Sequence, residues 1–216
     1  MRSDKHLRIA IDGESASGKS YASKIIGKKY KCYVLNSGLA YRYASYLVIK
    51  NKPKNITVFL KKKFKSLNYK KFTKINLHNE KISHHVASLA TINSVRKIIK
   101  SWQRKIILKN SRILVEGRDS ATVILKKNPK FDVAFYFHCS LKKSAYRRYI
   151  DLKKRIPLKK VLKNLRNRRL KDRTRKHSAL KKHKKAVLIR SDFLSKQEMI
   201  EKISKKINKF VEKNKN

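Results

Sequence analysis

Short apolar runs alternate along this chain with stretches in which apolar side chains recur every three or four positions. Leu7-Arg8-Ile9-Ala10-Ile11 predicts a first strand. Ala22, Ile25 and Ile26 predict the buried side of a helix running to about Lys29, and Cys32-Tyr33-Val34-Leu35 a second strand. Tyr41, Ala44, Ser45, Leu47 and Val48 follow at helical spacing, and Pro53 stops that helix. A long amphipathic helix is predicted over 88–108, interrupted near Asn93, with Val95, Ile98, Ile99, Trp102, Ile106 and Ile107 inward and Arg96 and Arg104 projecting elsewhere. Ile113-Leu114-Val115 and Val133-Ala134-Phe135-Tyr136-Phe137 predict strands three and four. Ser140 caps a helix from Leu141 to about Lys154, and Pro157 opens another with Leu158, Val161, Leu162 and Leu165. Ala186-Val187-Leu188-Ile189 predicts strand five, and Ile200, Ile203, Ile207 and Phe210 mark a closing helix over 196–213. Strands alternating with helices point to an α/β fold whose parallel sheet is linked by crossover helices.

The pattern is weakest over 50–84, which is rich in lysine. Thr57-Val58-Phe59-Leu60 fits a helix or a short strand. Residues 73–82 read as a hairpin turning near Asn79, in a small insertion. His84 and His85 are adjacent, so they do not share a helix face, which argues against a metal site.

Chemistry enters just after the first strand. Gly13-Glu14-Ser15-Ala16-Ser17-Gly18-Lys19-Ser20 fits G-x-x-x-x-G-K-[ST], with a strand before it and a helix from Tyr21 after it. Gly13 and Gly18 let the backbone approach phosphate oxygens, and the helix N-terminus faces the anion. Lys19 reaches the outer phosphates, and the Ser20 hydroxyl can ligate Mg2+. Residues 13–21 are the candidate ATP-binding segment. Two further stretches fall at predicted strand ends, where α/β folds keep their functional residues. Ser37 and Arg42 lie in Asn36-Ser37-Gly38-Leu39-Ala40-Tyr41-Arg42, where Arg42 is either a second phosphate contact or a solvated helix residue. Glu116-Gly117-Arg118-Asp119 closes strand three as either an active-site tip or a plain turn.

Composition narrows the picture less. The 216-residue chain has 60 Lys+Arg against 13 Asp+Glu, a formal charge of +47. That suits nucleic acid, an anionic membrane or polyphosphate substrates. The lysines are spread along the chain, and aromatics do not alternate with them as a base-stacking platform requires, so polyphosphate substrates and a general lysine bias account for it better. Cys32 and Cys139 are far apart and next to apolar runs, as expected of reduced, buried thiols in a cytoplasmic protein. No run is long enough for a membrane span, and the N-terminus does not read as a signal peptide. The densely basic segment from Lys163 to Lys185, with Asp172 as its single acid, is interposed between core elements. That favours an arginine-bearing lid over an appended RNA-binding tail.

Together these stretches resemble the bacterial cytidylate kinases of the nucleoside monophosphate (NMP) kinase group. The resemblance rests on Ile11 through Ser20, Leu35 through Arg42, Glu116-Gly117-Arg118-Asp119 with Thr122, and Arg168 through Arg175, in the family's order over most of the chain. It implies a single three-layer P-loop kinase domain with a central parallel five-stranded sheet, a small NMP-binding insertion at about 50–86 and an arginine-rich lid at about 157–185. It also implies a monomer that transfers the γ-phosphoryl group of ATP, with Mg2+, to CMP or dCMP. By the same resemblance the CMP site comprises Ser37, Arg42, Ser88, Arg96, Arg118 and Asp119. Arg42, Arg118 and Arg168 would hold phosphate, and Ser88, Arg96 and Asp119 would read base or sugar. Lys19, Arg118, Arg168, Asp172 and Arg175 would be catalytic, with Glu116 holding a metal-bound water beside Ser20. The chain departs from the family pattern at Asn36 (usually aspartate), Leu39, Ala121 (usually glycine), Arg169 (usually aspartate) and Arg190 (usually an acid). The rivals are a P-loop kinase for UMP, AMP, dTMP or shikimate, and a basic RNA-binding protein on a P-loop fold.

Overall fold

The computed structural model describes residues 6–69 and 75–213. Five strands form one sheet: β1 (Leu7–Gly13), β2 (Tyr33–Asn36), β3 (Arg112–Gly117), β4 (Val133–His138) and β5 (Val187–Arg190), in the order β2-β3-β1-β4-β5. The pairings of β1 with β3 and β4, and of β4 with β5, are parallel. β1 is central, and its side chains are buried at every position but Arg8. Such burial on both faces is what a continuous apolar run implies for a parallel sheet. Asp12 stands in register with Gly117 of β3 and Tyr136 of β4. The phosphate loop, the tip after β3 and the His138 end of β4 therefore leave the sheet side by side.

Eight α-helices complete the described secondary structure, apart from one π-helical turn. They are α1 (Lys19–Lys29), α2 (Ser37–Asn51), α3 (Ile56–Lys65), α4 (Glu80–Leu89), α5 (Asn93–Leu108), α6 (Leu141–Asp151), α7 (Leu158–Thr174) and α8 (Lys196–Lys213). By contact the chain divides into two compact units, Met1–Leu35 with Asn110–Asn216, and Asn36–Lys109. In the first, Ile9, Ile11, Phe135 and Phe137 of the sheet pack with Ala22 and Ile26 of α1 and Met199, Ile203 and Ile207 of α8. A smaller cluster of Ala145, Val161 and Leu165 joins α6 to the first half of α7. The second unit buries Leu60, Phe64, Leu77, Ile82, Val95, Ile99 and Trp102. The Trp102 ring meets Phe64 edge-on, and its indole nitrogen donates to Leu67 O at 2.9 Å. The insertion expected at about 50–86 falls inside this second unit, which is wider at both ends.

Two expectations need correction. The hairpin read over 73–82 does not exist among its described residues. Asn79 is instead the N-cap of α4, its Oδ1 accepting from Ile82 N at 2.8 Å. Asparagine serves turns and caps equally, and the helix continues from there to Leu89. Residues 73 and 74 lie outside the described part. Arg96 does not project away from the core of its unit but is buried on the inner side of α5.

Both cysteines are buried and unpaired, and burial pushes the Cys32 thiol up to about 11. Among the described residues no helix is long and apolar enough to cross a membrane.

Candidate active site

The phosphate loop is shaped by its neighbours before any ligand is considered. Gly13 has φ +142°, and a Cβ there would lie 2.2 Å from the Phe137 carbonyl oxygen of β4. The first loop glycine is thus required by the sheet. Glu14 N donates to the same carbonyl at 3.2 Å. Gly18 caps α1 with φ 86°, and Ala16 takes a left-handed φ of 56°.

Lys19 is buried at the start of α1. Its Nζ donates to Glu14 O and, at 3.3 Å, to Ser17 Oγ, which itself donates to Glu14 O at 2.8 Å. Burial, then the guanidinium of Arg118, holds the Lys19 ammonium well below the usual lysine range; Arg168 adds to this and Glu116 opposes it. A buried cation crowded by two more is stabilised by a bound anion, and a polyphosphate supplies one. Ser20 Oγ donates to Glu116 Oε1 at 2.8 Å. A hydroxyl and a carboxylate oxygen side by side are the hard oxygen ligands that suit Mg2+, so the residues present fit that ion.

The tip after β3 is locked from below. Asp12, unassigned by sequence reasoning, takes Ser120 N on Oδ1 at 2.7 Å and Ala121 N on Oδ2 at 2.8 Å. Burial raises its carboxyl to about 6 against these two hydrogen bonds. The anchored segment is the π-helical turn Ser120–Ile124, with Asp119 O accepting from Ile124 N and Ser120 O from Leu125 N. Ala121 adopts it without a positive φ, so the alanine is no obstacle there. Asp119 is buried. Arg118 reaches outward, donating through Nη2 to Ser15 Oγ at 2.9 Å, through Nε to Asp172 Oδ2 at 3.0 Å and through Nη1 to Gly117 O at 3.2 Å. The Glu116–Asp119 stretch is therefore more than a plain turn, since it joins the phosphate loop to α7.

The second half of α7 brings the basic segment to this place. Burial alone would raise the Asp172 carboxyl, but Arg118, Arg168 and Arg175 outweigh it and hold it below the usual range. Arg175 also donates to Ser178 O at 2.7 Å. Arg169, the position that departs from the family pattern, donates to Cys139 O at 2.8 Å and Ser144 Oγ at 2.7 Å and lies 3.4 Å from Glu14 Oε2. Arg173 pairs with Glu14 Oε1. Glu14, expected among the ATP-binding residues, thus has a fully buried carboxylate that is engaged with α7 and with Cys139 N.

A pocket of about 370 Å3 opens beside the loop, lined by Ala16 through Tyr21 and by Arg147, Asp151, Ser191, Leu194, Lys196 and Met199 among others. Tyr21 carries the Lys196 ammonium over its ring at 5.2 Å. Arg147 is fixed on Ser191 O at 2.8 Å. No sequence motif marks these later residues, because they come together from α6, α8 and the segment after β5.

Ser37, Arg42, Ser88 and Arg96 belong to the second unit. Asn36 is the N-cap of α2, its Oδ1 accepting from Leu39 N at 3.2 Å, a task that asparagine and aspartate perform equally. Ser37 is buried at the start of that helix, and its hydroxyl makes no hydrogen bond among the described residues. Arg42 is buried, not solvated, and donates to Leu77 O at 2.8 Å and Ser83 Oγ at 3.0 Å. Arg96 sits 5.4 Å from the Tyr41 ring centre and donates to Ala90 O at 3.1 Å. Ser88 is exposed, and its hydroxyl donates to His85 O in its own helix at 2.9 Å.

The family model described as cytidylate kinase matches residues 9–209. The cytidylate kinase of Fusobacterium nucleatum is 32% identical over 94% of this chain and 98% of its own length. That of Phytoplasma mali is 29% identical over 86% and 87%. Among solved structures, an uncharacterized protein from Eubacterium ventriosum aligns with a TM-score of 0.56 at 14% identity, covering 94% of this chain and 98% of its own. TT1252 from Thermus thermophilus gives a TM-score of 0.51 at 13% identity, covering 94% and 96%. At such identities these two speak for the fold alone.

Proposed function

The chain belongs to the cytidylate kinase family, and we infer that it transfers the γ-phosphoryl group of ATP to CMP or dCMP, giving ADP and CDP or dCDP. The observation that carries the reading, beside the family, is the buried Lys19 with Arg118 and Arg168 as neighbouring cations. The family match favours CMP or dCMP over rival acceptors, and the buried cations favour phosphoryl transfer over RNA binding.

The donor triphosphate lies along the phosphate loop of residues 13–20 and on Lys19. The pocket lined by Tyr21, Arg147, Leu194 and Met199 takes its nucleoside. Mg2+ would be held by Ser20, with Glu116 on one of its waters, and would neutralise phosphate oxygens. Ser37, Arg42, Ser88, Arg96, Arg118 and Asp119 receive the monophosphate, with Arg42, Arg118 and Arg168 on its phosphate. An oxygen of that phosphate attacks the γ-phosphorus while the bond to the β–γ bridging oxygen breaks. The attacking oxygen is already ionised at neutral pH, so no general base is needed. Catalysis is alignment and charge stabilisation, with Lys19, Arg118, Arg168 and Arg175 facing the transferring group and Asp172 orienting the arginines. Closure of the 157–185 segment excludes water that would otherwise hydrolyse ATP. The protein acts as a monomer in the cytoplasm.

The test is ADP release with ATP and Mg2+ in the presence of CMP, dCMP, UMP, AMP or no acceptor. Stimulation by CMP and dCMP above the others is expected. Stimulation by UMP or AMP alone would overturn the acceptor, and stimulation by none would overturn the phosphotransfer reading.

A further inference from the structure

A carboxylate in the middle of a phosphate-binding loop is out of place if it faces the triphosphate, because like charges repel at close range. Glu14 avoids this by turning its side chain away from solvent, where it is fully buried. Its partners come from two other elements. Cys139 N donates to Oε2 at 3.2 Å and His138 Nδ1 lies 3.3 Å from the same oxygen, both at the end of β4. Arg173 pairs with Oε1, and Arg169 stands 3.4 Å from Oε2, both from α7. Arg169 is also tied to Cys139 O and Ser144 Oγ, so its guanidinium spans the loop and the start of α6.

The placement on α7 matters. Its apolar anchors, Val161 and Leu165, lie in the first half of the helix, against α6. Beyond Leu165 the helix has Leu170, which is exposed, and otherwise charged or polar residues to Thr174. Hydrophobic packing therefore does not hold the half that carries Arg168 and Asp172. Arg169, Asp172 and Arg173 share one helix face by their spacing. Arg169 and Arg173 meet Glu14, and Asp172 meets Arg118, which itself rests on Ser15.

We propose that Glu14 is a positioning residue: its buried carboxylate docks the second half of α7 onto the phosphate loop through Arg169 and Arg173, and so sets Arg168 and Asp172 for phosphoryl transfer. The carboxylate itself touches neither substrate. The arginine at position 169 is then the partner that this acidic loop requires. The proposal rests on the phosphotransfer reading above for its kinetic consequence, but not for the docking itself.

The test compares wild type with Glu14→Gln, Arg173→Ala, Arg173→Lys and the double variant Glu14→Gln/Arg173→Ala. Glu14→Gln keeps shape and removes charge; kcat should fall about tenfold or more with KM for CMP nearly unchanged, since a charge-assisted pair is lost but no substrate contact is. Arg173→Ala should fall similarly, the double variant no further than the worse single, and Arg173→Lys should lie in between. Arg173 is half exposed, with 53% of its side chain accessible, so its variants test the pair even if Glu14→Gln folds poorly. A second readout does not involve CMP: the rate of tryptic cleavage within 168–185 in the free protein, located by mass spectrometry. Faster cleavage in Glu14→Gln and Arg173→Ala is expected. Wild-type kcat in both single variants, or additive losses in the double, would overturn the proposal. If wild type fails to phosphorylate any acceptor, the function reading falls, and the cleavage rates alone decide the docking: unchanged rates would overturn it.

Discussion

The two compact units differ in what their arginines join. In the phosphate-loop unit, Arg118 of the β3 tip pairs with Asp172 of α7, and Arg169 and Arg173 of α7 pair with Glu14 of the loop. In the unit 36–109, Arg42 of α2 donates to Leu77 O and Ser83 Oγ, and Arg96 of α5 donates to Ala90 O and lies on the Tyr41 ring. In the first unit two acids each gather cations from separate elements, so losing one carboxylate should disturb several arginines together. In the second, losing one acceptor of Arg42 should disturb that side chain first.

The strongest way to break this comparison is at Lys19. Lys19→Ala should lower kcat by about three orders of magnitude while the fold survives, because a buried charge aimed at the transferring phosphates is lost. Steady-state kinetics with a thermal-melt control checks this, and near-wild-type turnover would remove the loop from the mechanism. Next comes Arg42→Ala. It should raise KM for CMP by about 10- to 100-fold and leave KM for ATP within a small factor, as expected when one charged hydrogen-bonding partner of a phosphate is removed. A smaller effect is expected of Ser83→Ala, which keeps Arg42 but removes one of its acceptors. KM for CMP should rise about three- to tenfold, in keeping with one hydrogen bond; no change would mean that the Ser83 hydroxyl does not help to orient the guanidinium.

The same contrast can be read in the carboxylates through pH. Asp12 is raised from 3.8 to about 6 by burial, so the folded state holds a proton that the unfolded state has lost. Stability should therefore fall as pH rises through about 4 to 6 and level off above, by about 3 kcal/mol from this group. Asp172 has the opposite sign: its carboxyl is lowered, so its contribution is present above the unfolded value and is lost as pH falls through the folded one. Denaturant melts between pH 4 and 7 on wild type and Asp12→Asn separate the two, since only the wild type should lose stability across that window through Asp12.

How far the sequence carries depended on whether the signal was local. β1, the phosphate loop and α1 were legible because apolar run, glycine spacing and helical period sit within some twenty residues. Asn36 could be named as a departure, but its part as the cap of α2 became clear only in the fold. Around Asn79 the lysine-rich surroundings diluted the apolar period, and an asparagine that caps a helix looked like one that turns a hairpin. Glu14 occupied an unspecified position of the loop pattern, and its partners Arg169 and Arg173 are more than 150 residues away in the chain. Nothing local distinguishes such a pair from the many other arginines of a chain with 60 basic residues. The donor pocket was missed for the same reason, since Arg147, Ser191 and Met199 meet only in the fold.

The central claim is that the donor triphosphate belongs to Lys19 and the monophosphate to Arg42. Titration calorimetry with each ligand alone, ATP with Mg2+ or CMP, on wild type, Lys19→Ala and Arg42→Ala tests it most directly. The account predicts that Lys19→Ala loses ATP affinity and keeps CMP affinity, and that Arg42→Ala does the reverse. Loss of ATP affinity in Arg42→Ala with CMP binding intact would contradict it.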